Sequence, residues 1–257
     1  MQKFLMETAL LTHGLVSLSD EDILAAWPWE ARNLVWVEAG TIRRGTLREY
    51  LPVRSRASEL IRIDRDLLPA ALAKGLSGAL TGSGTMAAAQ GMGVPIAVTA
   101  GMGGVGDIEG ETLCPDLPAL TETNVVLVAT SPKDVIDIPA TIDWLLRNGV
   151  TVLGRGASTC SGFVFRGDDI PISGCWQPGQ RVAPHTLLLL EIPREKRLHD
   201  RALLYEAKLA AVRAQERGEA YHPAANAEID RLSGGVSSKL QLQSLIDNGL
   251  WAEQLSV

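Results

Sequence analysis

Val94-Pro95-Ile96-Ala97-Val98-Thr99-Ala100-Gly101-Met102-Gly103-Gly104-Val105-Gly106 decides how the rest of the chain is read. A short apolar run passes straight into a glycine cluster. Such a run reads as a buried strand, and glycines at its end let a ligand or another backbone come close. Upstream, Thr81-Gly82-Ser83-Gly84-Thr85-Met86 reads as a glycine-rich turn entering a helix. Downstream, a second apolar strand, Asn124-Val125-Val126-Leu127-Val128-Ala129-Thr130, ends at Ser131-Pro132-Lys133-Asp134. Three chain reversals rich in Gly, Ser and Thr thus bracket one lysine, and this is where an active site is expected.

Around this centre, strands and helices alternate. The stretch 3–12 reads as a strand with Glu7 embedded in it, and Leu34–Val37, Glu59–Ile63, Val150–Gly154 and Leu187–Glu191 read as further strands. Ser19 and Asp64 or Asp66 offer helix N-caps. Residues 155–183 are rich in Gly and Pro and read as irregular. Beyond Arg197 the pattern is helical. This is the signature of an α/β fold, a three-layer αβα arrangement with a central mixed sheet and a C-terminal helical segment. With no linker or repeat, residues 1–257 read as a single domain.

Composition narrows the partners. The formal net charge of -6 disfavours nucleic acid as a partner, because phosphate backbones need a basic surface. No run approaches the ~20 apolar residues of a membrane span. Three widely spaced cysteines, with no C-x-x-C pair, fit free thiols in a reducing cytoplasm.

The candidate chemistry centres on Lys133. Of six lysines, it alone follows the carboxyl end of a buried strand, where ligands of α/β sheets bind. A lysine held there loses hydration, its pKa falls, and the neutral amine can attack a carbonyl carbon. The competing reading is a solvated lysine at a helix start, or one in a salt bridge to Asp134 or Asp137. Gly101-x-Gly103-x-x-Gly106 matches a dinucleotide fingerprint in letters. It lacks the helix that must begin inside it, and the acids Asp107, Glu109 and Glu111 that follow would repel phosphates. No nucleotide cofactor is expected. The scattered histidines make no zinc motif, whereas the loop acids could hold a hard divalent cation.

Several stretches, taken together and in order, resemble the pseudouridine-5'-phosphate glycosidases, a family with the indigoidine-synthase-A-like fold. Glu7-Thr8-Ala9-Leu10-Leu11-Thr12-His13-Gly14 resembles that family's E-S-T-I-I-x-H-G strand. Gly84-Thr85-Met86 through Thr99-Ala100-Gly101-Met102-Gly103-Gly104-Val105 resembles its S-T-M…A-T-G-G-I-G-G-V segment. Ser131 to Ile138 resembles A-G-x-K-S-I-L-D-I/L, and Gly149–Gly154 and Leu232–Gly235 match further signatures.

The resemblance implies reversible cleavage of the C–C glycosidic bond of pseudouridine 5'-phosphate or a related C-nucleoside phosphate. Lys133 would be the nucleophile that carries ring-opened ribose as an imine, and Glu7 the proton donor or acceptor. Arg62, Gly82, Thr85, Thr99, Cys114, Asp116, Gln241 and His13 would contact substrate. Arg62 stands where the family has lysine, Cys114-Pro115-Asp116 where it has S-A-D, and Gln241 where it has asparagine. The family's H-R-G-A-E loop is replaced by 106–111 and is about two residues shorter. Its manganese-binding aspartate therefore falls near Thr112, which leaves Glu111, or Glu109, as the candidate ligand for Mn²⁺ or another divalent cation, with loss of the metal as the alternative. A homotrimer is also implied. The alternative is a non-catalytic sugar-phosphate or nucleotide-binding protein on the same fold.

Overall fold

A computed structural model describes residues 3–106, 113–219 and 221–257. Its strands, in chain order, are β1 (Phe4–Met6), β2 (Leu34–Glu38), β3 (Thr41–Gly45), β4 (Ile61–Ile63) and β5 (Gly78–Leu80). They continue with β6 (Ile96–Val98), β7 (Gly101–Met102), β8 (Val126–Ala129), β9 (Ser131–Pro132) and β10 (Thr151–Arg155). The last are β11 (Thr159–Cys160), β12 (Ile170–Pro171), β13 (Gly174–Trp176) and β14 (Thr186–Leu189). The helices are α1 (Asp20–Ala26), α2 (Leu47–Arg54), α3 (Leu68–Ala73), α4 (Gly82–Gly91) and α5 (Asp116–Glu122). They are followed by α6 (Ile138–Arg147), α7 (Arg201–Glu216), α8 (Tyr221–Leu232) and α9 (Val236–Gln254).

Ten strands form one mixed sheet in the order β13-β10-β14-β8-β6-β1-β2-β5-β4, with β3 on the side of β2. From β13 to β2 every pairing is parallel; β5 and β3 run antiparallel to β2. Alternation along each strand sorts the side chains to two faces. Phe4, Met6, Ile96, Val98, Val126 and Val128 point into one core, which α8 and α9 help to close. Leu5, Ala97, Leu127 and Ala129 point into the other, against Met86 and Ala89 of α4, Leu120 of α5 and Leu145 of α6. Helix, sheet and helix are therefore stacked in three layers, as the sequence pattern implied. No helix among the described residues is long and apolar enough to cross a membrane.

Two local expectations need correction. The strand read over 3–12 stops at Met6, and Leu10–Gly14 form a π-helical turn closed by Leu15 N donating to the Leu10 carbonyl, 3.2 Å. The threonine hydroxyls explain the break. Thr8 Oγ1 donates to the Val35 carbonyl and Thr12 Oγ1 to the Thr8 carbonyl, so local side-chain bonds displace the ladder. The segment 155–183 is also less irregular than its Gly and Pro content implied. Leu153, Gly154 and Arg155 of β10 pair with Gly174, Cys175 and Trp176, and β13 becomes the sheet's edge.

β1 sits where the chain order reverses, with β2 on one side and β6 on the other. Such a switch point opens a crevice at the carboxyl ends of the strands. Glu7 directly follows β1, Thr99 directly follows β6, and Lys133 follows β8 by way of β9.

Candidate active site

The glycine stretch and the lysine are stitched together beyond the main sheet. Gly101 of β7 pairs with Ser131 of β9, Thr130 N donates to the Ala100 carbonyl (2.7 Å), and Lys133 N donates to the Met102 carbonyl (3.0 Å). This two-residue ladder fixes the backbone on both sides of Lys133. It also explains the glycines. A Cβ on Gly101 would lie 2.6 Å from the Phe163 ring and 3.1 Å from Lys133 Cγ; one on Gly103 would lie 2.1 Å from Cys114 Sγ. No helix begins at Gly103–Gly106, where a dinucleotide fingerprint requires one.

Lys133 is half-buried at the floor of a cleft, and among the described residues its ammonium makes no ion pair or hydrogen bond. The paired-lysine reading is corrected by where the neighbouring carboxylates turn. Asp134 accepts backbone N–H groups from Phe163 (2.9 Å), Val164 (2.8 Å) and Phe165 (3.2 Å), and Asp137 caps α6 by accepting from Ala140 N (2.9 Å). Burial holds the Lys133 amine below the ordinary lysine range, and the Arg62 guanidinium pushes it the same way; Glu7, Asp116 and Cys114 oppose them. Burial likewise raises the Asp134 carboxyl, to about 6, against the three N–H groups and Arg197.

Glu7 is buried beside this lysine. Its Oε1 accepts from Thr99 Oγ1 (2.5 Å) and from Ala100 N (3.3 Å). Desolvation raises its pKa, while Thr99, Lys133 and Arg62 favour the carboxylate. The shifts of Glu7 and Lys133 are thus opposed, burial favouring the neutral form of each while each charge favours the ionised form of the other. Arg62 rises from β4 to the same cleft and makes no ion pair or hydrogen bond with the described residues.

The cleft has two lobes that share Glu7, Arg62, Gly101, Lys133 and His222. One is walled by Thr81, Gly82 and Ser83 at the start of α4 and by Cys114 and Asp116. The other is walled by Leu10, Val135, Phe163, Pro223 and Ile229 together with His13, Asn226 and Gln241.

Of the residues expected at the site, Lys133, Glu7, Arg62, Gly82, Cys114, Asp116, His13 and Gln241 line these lobes. Asp116 does so as a brace: its Oδ1 accepts from Ser83 N (2.7 Å) and its Oδ2 from Gly103 N (2.8 Å), tying α4 to the glycine loop. His13 Nε2 faces the Ala57 (3.2 Å) and Leu60 (3.1 Å) carbonyls, and burial lowers its pKa, so it is a neutral wall. Gln241 Nε2 donates to Asn226 Oδ1 and Ser237 Oγ, both at 3.0 Å. Thr99 and Thr85 are placed differently from the expectation. Both are buried outside the lobes; Thr99 orients Glu7, and Thr85 is packed inside α4. Glu111 lies outside the described residues. Among those described, no three His, Cys, Asp or Glu side chains gather where they could hold a metal ion, so no chemistry is assigned to one.

His222, Asn226 and Phe163 were not expected at the site. The first two sit one turn apart on α8, which packs against the π-helical turn and α9. Asn226 Nδ2 donates to the Gly14 carbonyl (3.3 Å). Phe163 is presented by the loop that Asp134 grips. A buried network holds that loop from behind: Glu191 accepts from Ser161 N and pairs with Arg197 at 3.2 Å, and Arg197 donates to the Ser161 and Gly162 carbonyls.

Fold and site together define an α/β protein whose desolvated lysine and carboxylate share a cleft at a sheet switch point. The family model described as "Indigoidine synthase A like protein" matches residues 31–257, and the chain belongs to that family. It is 28% identical over 275 residues to a pseudouridine-5'-phosphate glycosidase of Methylobacterium nodulans, covering 98% of this chain and 82% of that protein. It is also 28% identical over 278 residues to the glycosidase of the same name from Caldanaerobacter subterraneus subsp. tengcongensis, covering 98% and 90%. Two solved structures share the fold. An indigoidine synthase A-like protein of Thermotoga maritima superposes with a TM-score of 0.78 at 19% identity, over 98% of this chain and 91% of that one. The prealnumycin C-glycosynthase AlnA, solved in complex with ribulose 5-phosphate, superposes with a TM-score of 0.75 at 23% identity, over 99% and 91%.

Proposed function

We propose that this protein reversibly breaks and forms the C–C glycosidic bond of pseudouridine 5'-phosphate or a related C-nucleoside phosphate, through an imine on Lys133. The observation that carries the reading is the desolvated Lys133 amine, without an ion pair among the described residues, in one cleft with Glu7 and Arg62. The names of the relatives point the same way, and a structural neighbour binds a five-carbon sugar phosphate.

The chemistry follows from the poor leaving group. In cleavage, the neutral Lys133 amine attacks C1' and the C1'–O4' bond breaks, with Glu7 supplying the proton that O4' takes up. The new secondary ammonium returns a proton to Glu7. The nitrogen lone pair then forms C=N⁺ as the bond from C1' to the base carbon breaks, and Glu7 protonates that carbon. Water hydrolyses the imine and releases ring-opened ribose 5-phosphate. The imine is the electron sink that makes a carbon leaving group feasible.

The lobes suit the two halves of such a substrate. The one at the start of α4, with small polar residues and the Arg62 guanidinium, suits the sugar phosphate, since a guanidinium can bind phosphate bidentately. The other, with apolar walls and side-chain amides, suits a planar base. Incubation of the protein with pseudouridine 5'-phosphate, and in reverse with uracil and ribose 5-phosphate, tests the reading by chromatography of the products. Interconversion that is lost in Lys133→Met is expected. Tight binding of ribose 5-phosphate with no interconversion of any C-nucleoside phosphate would establish a binding protein instead.

A further inference from the structure

The residues common to both lobes flank the place where the two halves of the substrate are joined. Of those five, Lys133 and Glu7 carry the bond changes proposed above, Arg62 supplies a cation, and Gly101 has no side chain. His222 is the fifth. Its own helix places it on the base side: Pro223, Asn226 and Ile229, the other α8 residues at the cleft, line only the apolar, amide-bearing lobe. Asn226 is braced by Gln241 and Gly14, so this face of α8 is a fixed wall.

Resting on the imine reading, we propose that His222 is a further catalytic residue, whose ring N–H donates to the base carbonyl adjacent to the carbon that leaves C1'. When the C–C bond breaks, its electron pair moves onto that carbon and, by conjugation, onto the carbonyl oxygen. A donor there stabilises the enolate-like base until Glu7 protonates the carbon. Burial, with Lys133 and Arg62 nearby, lowers the imidazole pKa to about 3, so the ring works as a neutral donor and leaves the Glu7 proton inventory untouched.

The test separates the two halves of the substrate. Ribose 5-phosphate alone forms the imine without any base, so borohydride trapping on Lys133 reads the sugar half. Turnover of pseudouridine 5'-phosphate reads both. In His222→Phe, trapping is expected within about 2-fold of wild type, whereas kcat falls by about 100-fold, the scale of one lost oxyanion donor. His222→Gln, which restores an N–H donor, is expected to recover part of that loss. Thermal melting checks that both variants are folded, and where Phe is not tolerated the Gln variant is read against His222→Ala. Calorimetry in a Lys133→Met background, where no bond is broken or formed, gives a readout without chemistry: adding His222→Phe is expected to raise the Kd of pseudouridine 5'-phosphate about 2- to 10-fold and to leave that of ribose 5-phosphate unchanged. Unchanged kcat in folded His222→Phe overturns the proposal, and so does an equal loss of trapping and turnover, which would place His222 on the sugar. Absence of any adduct in the wild type instead refutes the imine reading and leaves the calorimetric comparison to decide the His222 contact.

Discussion

Gly101→Ala tests whether the glycine stretch positions the lysine. The added methyl carbon would lie 2.6 and 2.9 Å from two atoms of the Phe163 ring and 3.1 Å from Lys133 Cγ. Carbon atoms pack at about 3.5–4.0 Å, so ring and methyl must separate by about 1 Å. The ring has little room to give. Phe163 is 3% exposed, and its N–H is held by Asp134. Overpacking of this kind costs about 1–3 kcal/mol. The Lys133 stem is the other neighbour, and a displacement of about 1 Å at a reacting group can cost about 100-fold in rate. Urea unfolding should therefore show a loss of about 1–3 kcal/mol, and turnover should fall by about 100-fold. In a Phe163→Leu background, which shortens the obstacle, the stability cost of Gly101→Ala should shrink by at least about 0.5 kcal/mol. Wild-type stability and turnover in Gly101→Ala would refute this packing argument.

Two further expectations concern the charged groups. Glu7→Gln should lower kcat by about 100-fold or more, the usual scale of acid–base contributions, while ribose 5-phosphate still binds; a near-normal rate would remove Glu7 from its role. Arg62→Met removes a cation that depresses the Lys133 pKa, so that pKa rises and more of the amine is protonated at neutral pH. The acid limb of the kcat/KM profile should move to higher pH, and KM should rise across the profile as the phosphate loses its guanidinium. An unmoved limb would show that Arg62 does not tune the lysine.

Much of this site is legible in the sequence because its parts sit where local pattern and spatial position coincide. The apolar runs that form β6 and β8 each end in the residues that build the cleft, so Lys133 and the glycines announce themselves. Glu7 is legible through the family resemblance and not through local pattern, which reads it as an acid embedded in a strand over 3–12, whereas the strand stops at Met6 and leaves Glu7 at its end. Thr99 and Thr85 belong to the same segments but point inward, and only three-dimensional packing tells a residue that orients Glu7 from one that meets a ligand. His222 and Asn226 reach the cleft from α8, far along the chain from Glu7, Arg62 and Lys133 and folded back across the strand ends. Their helix shows an ordinary mixed pattern, so nothing local marks which face looks into the site. Phe163 is hidden for a different reason. Its loop has a defined course because Asp134 accepts three of its N–H groups and Arg197 holds its carbonyls, long-range bonds that no turn motif encodes.

Imine catalysis requires a covalent bond to one of the six lysines. Mass spectrometry of peptides from the protein treated with ribose 5-phosphate and borohydride should find one reduced sugar-phosphate adduct, on Lys133. It should be absent from Lys133→Met and from samples without reductant. An unmodified Lys133, or an adduct spread over Lys3, Lys74, Lys196, Lys208 and Lys239, would contradict the mechanism.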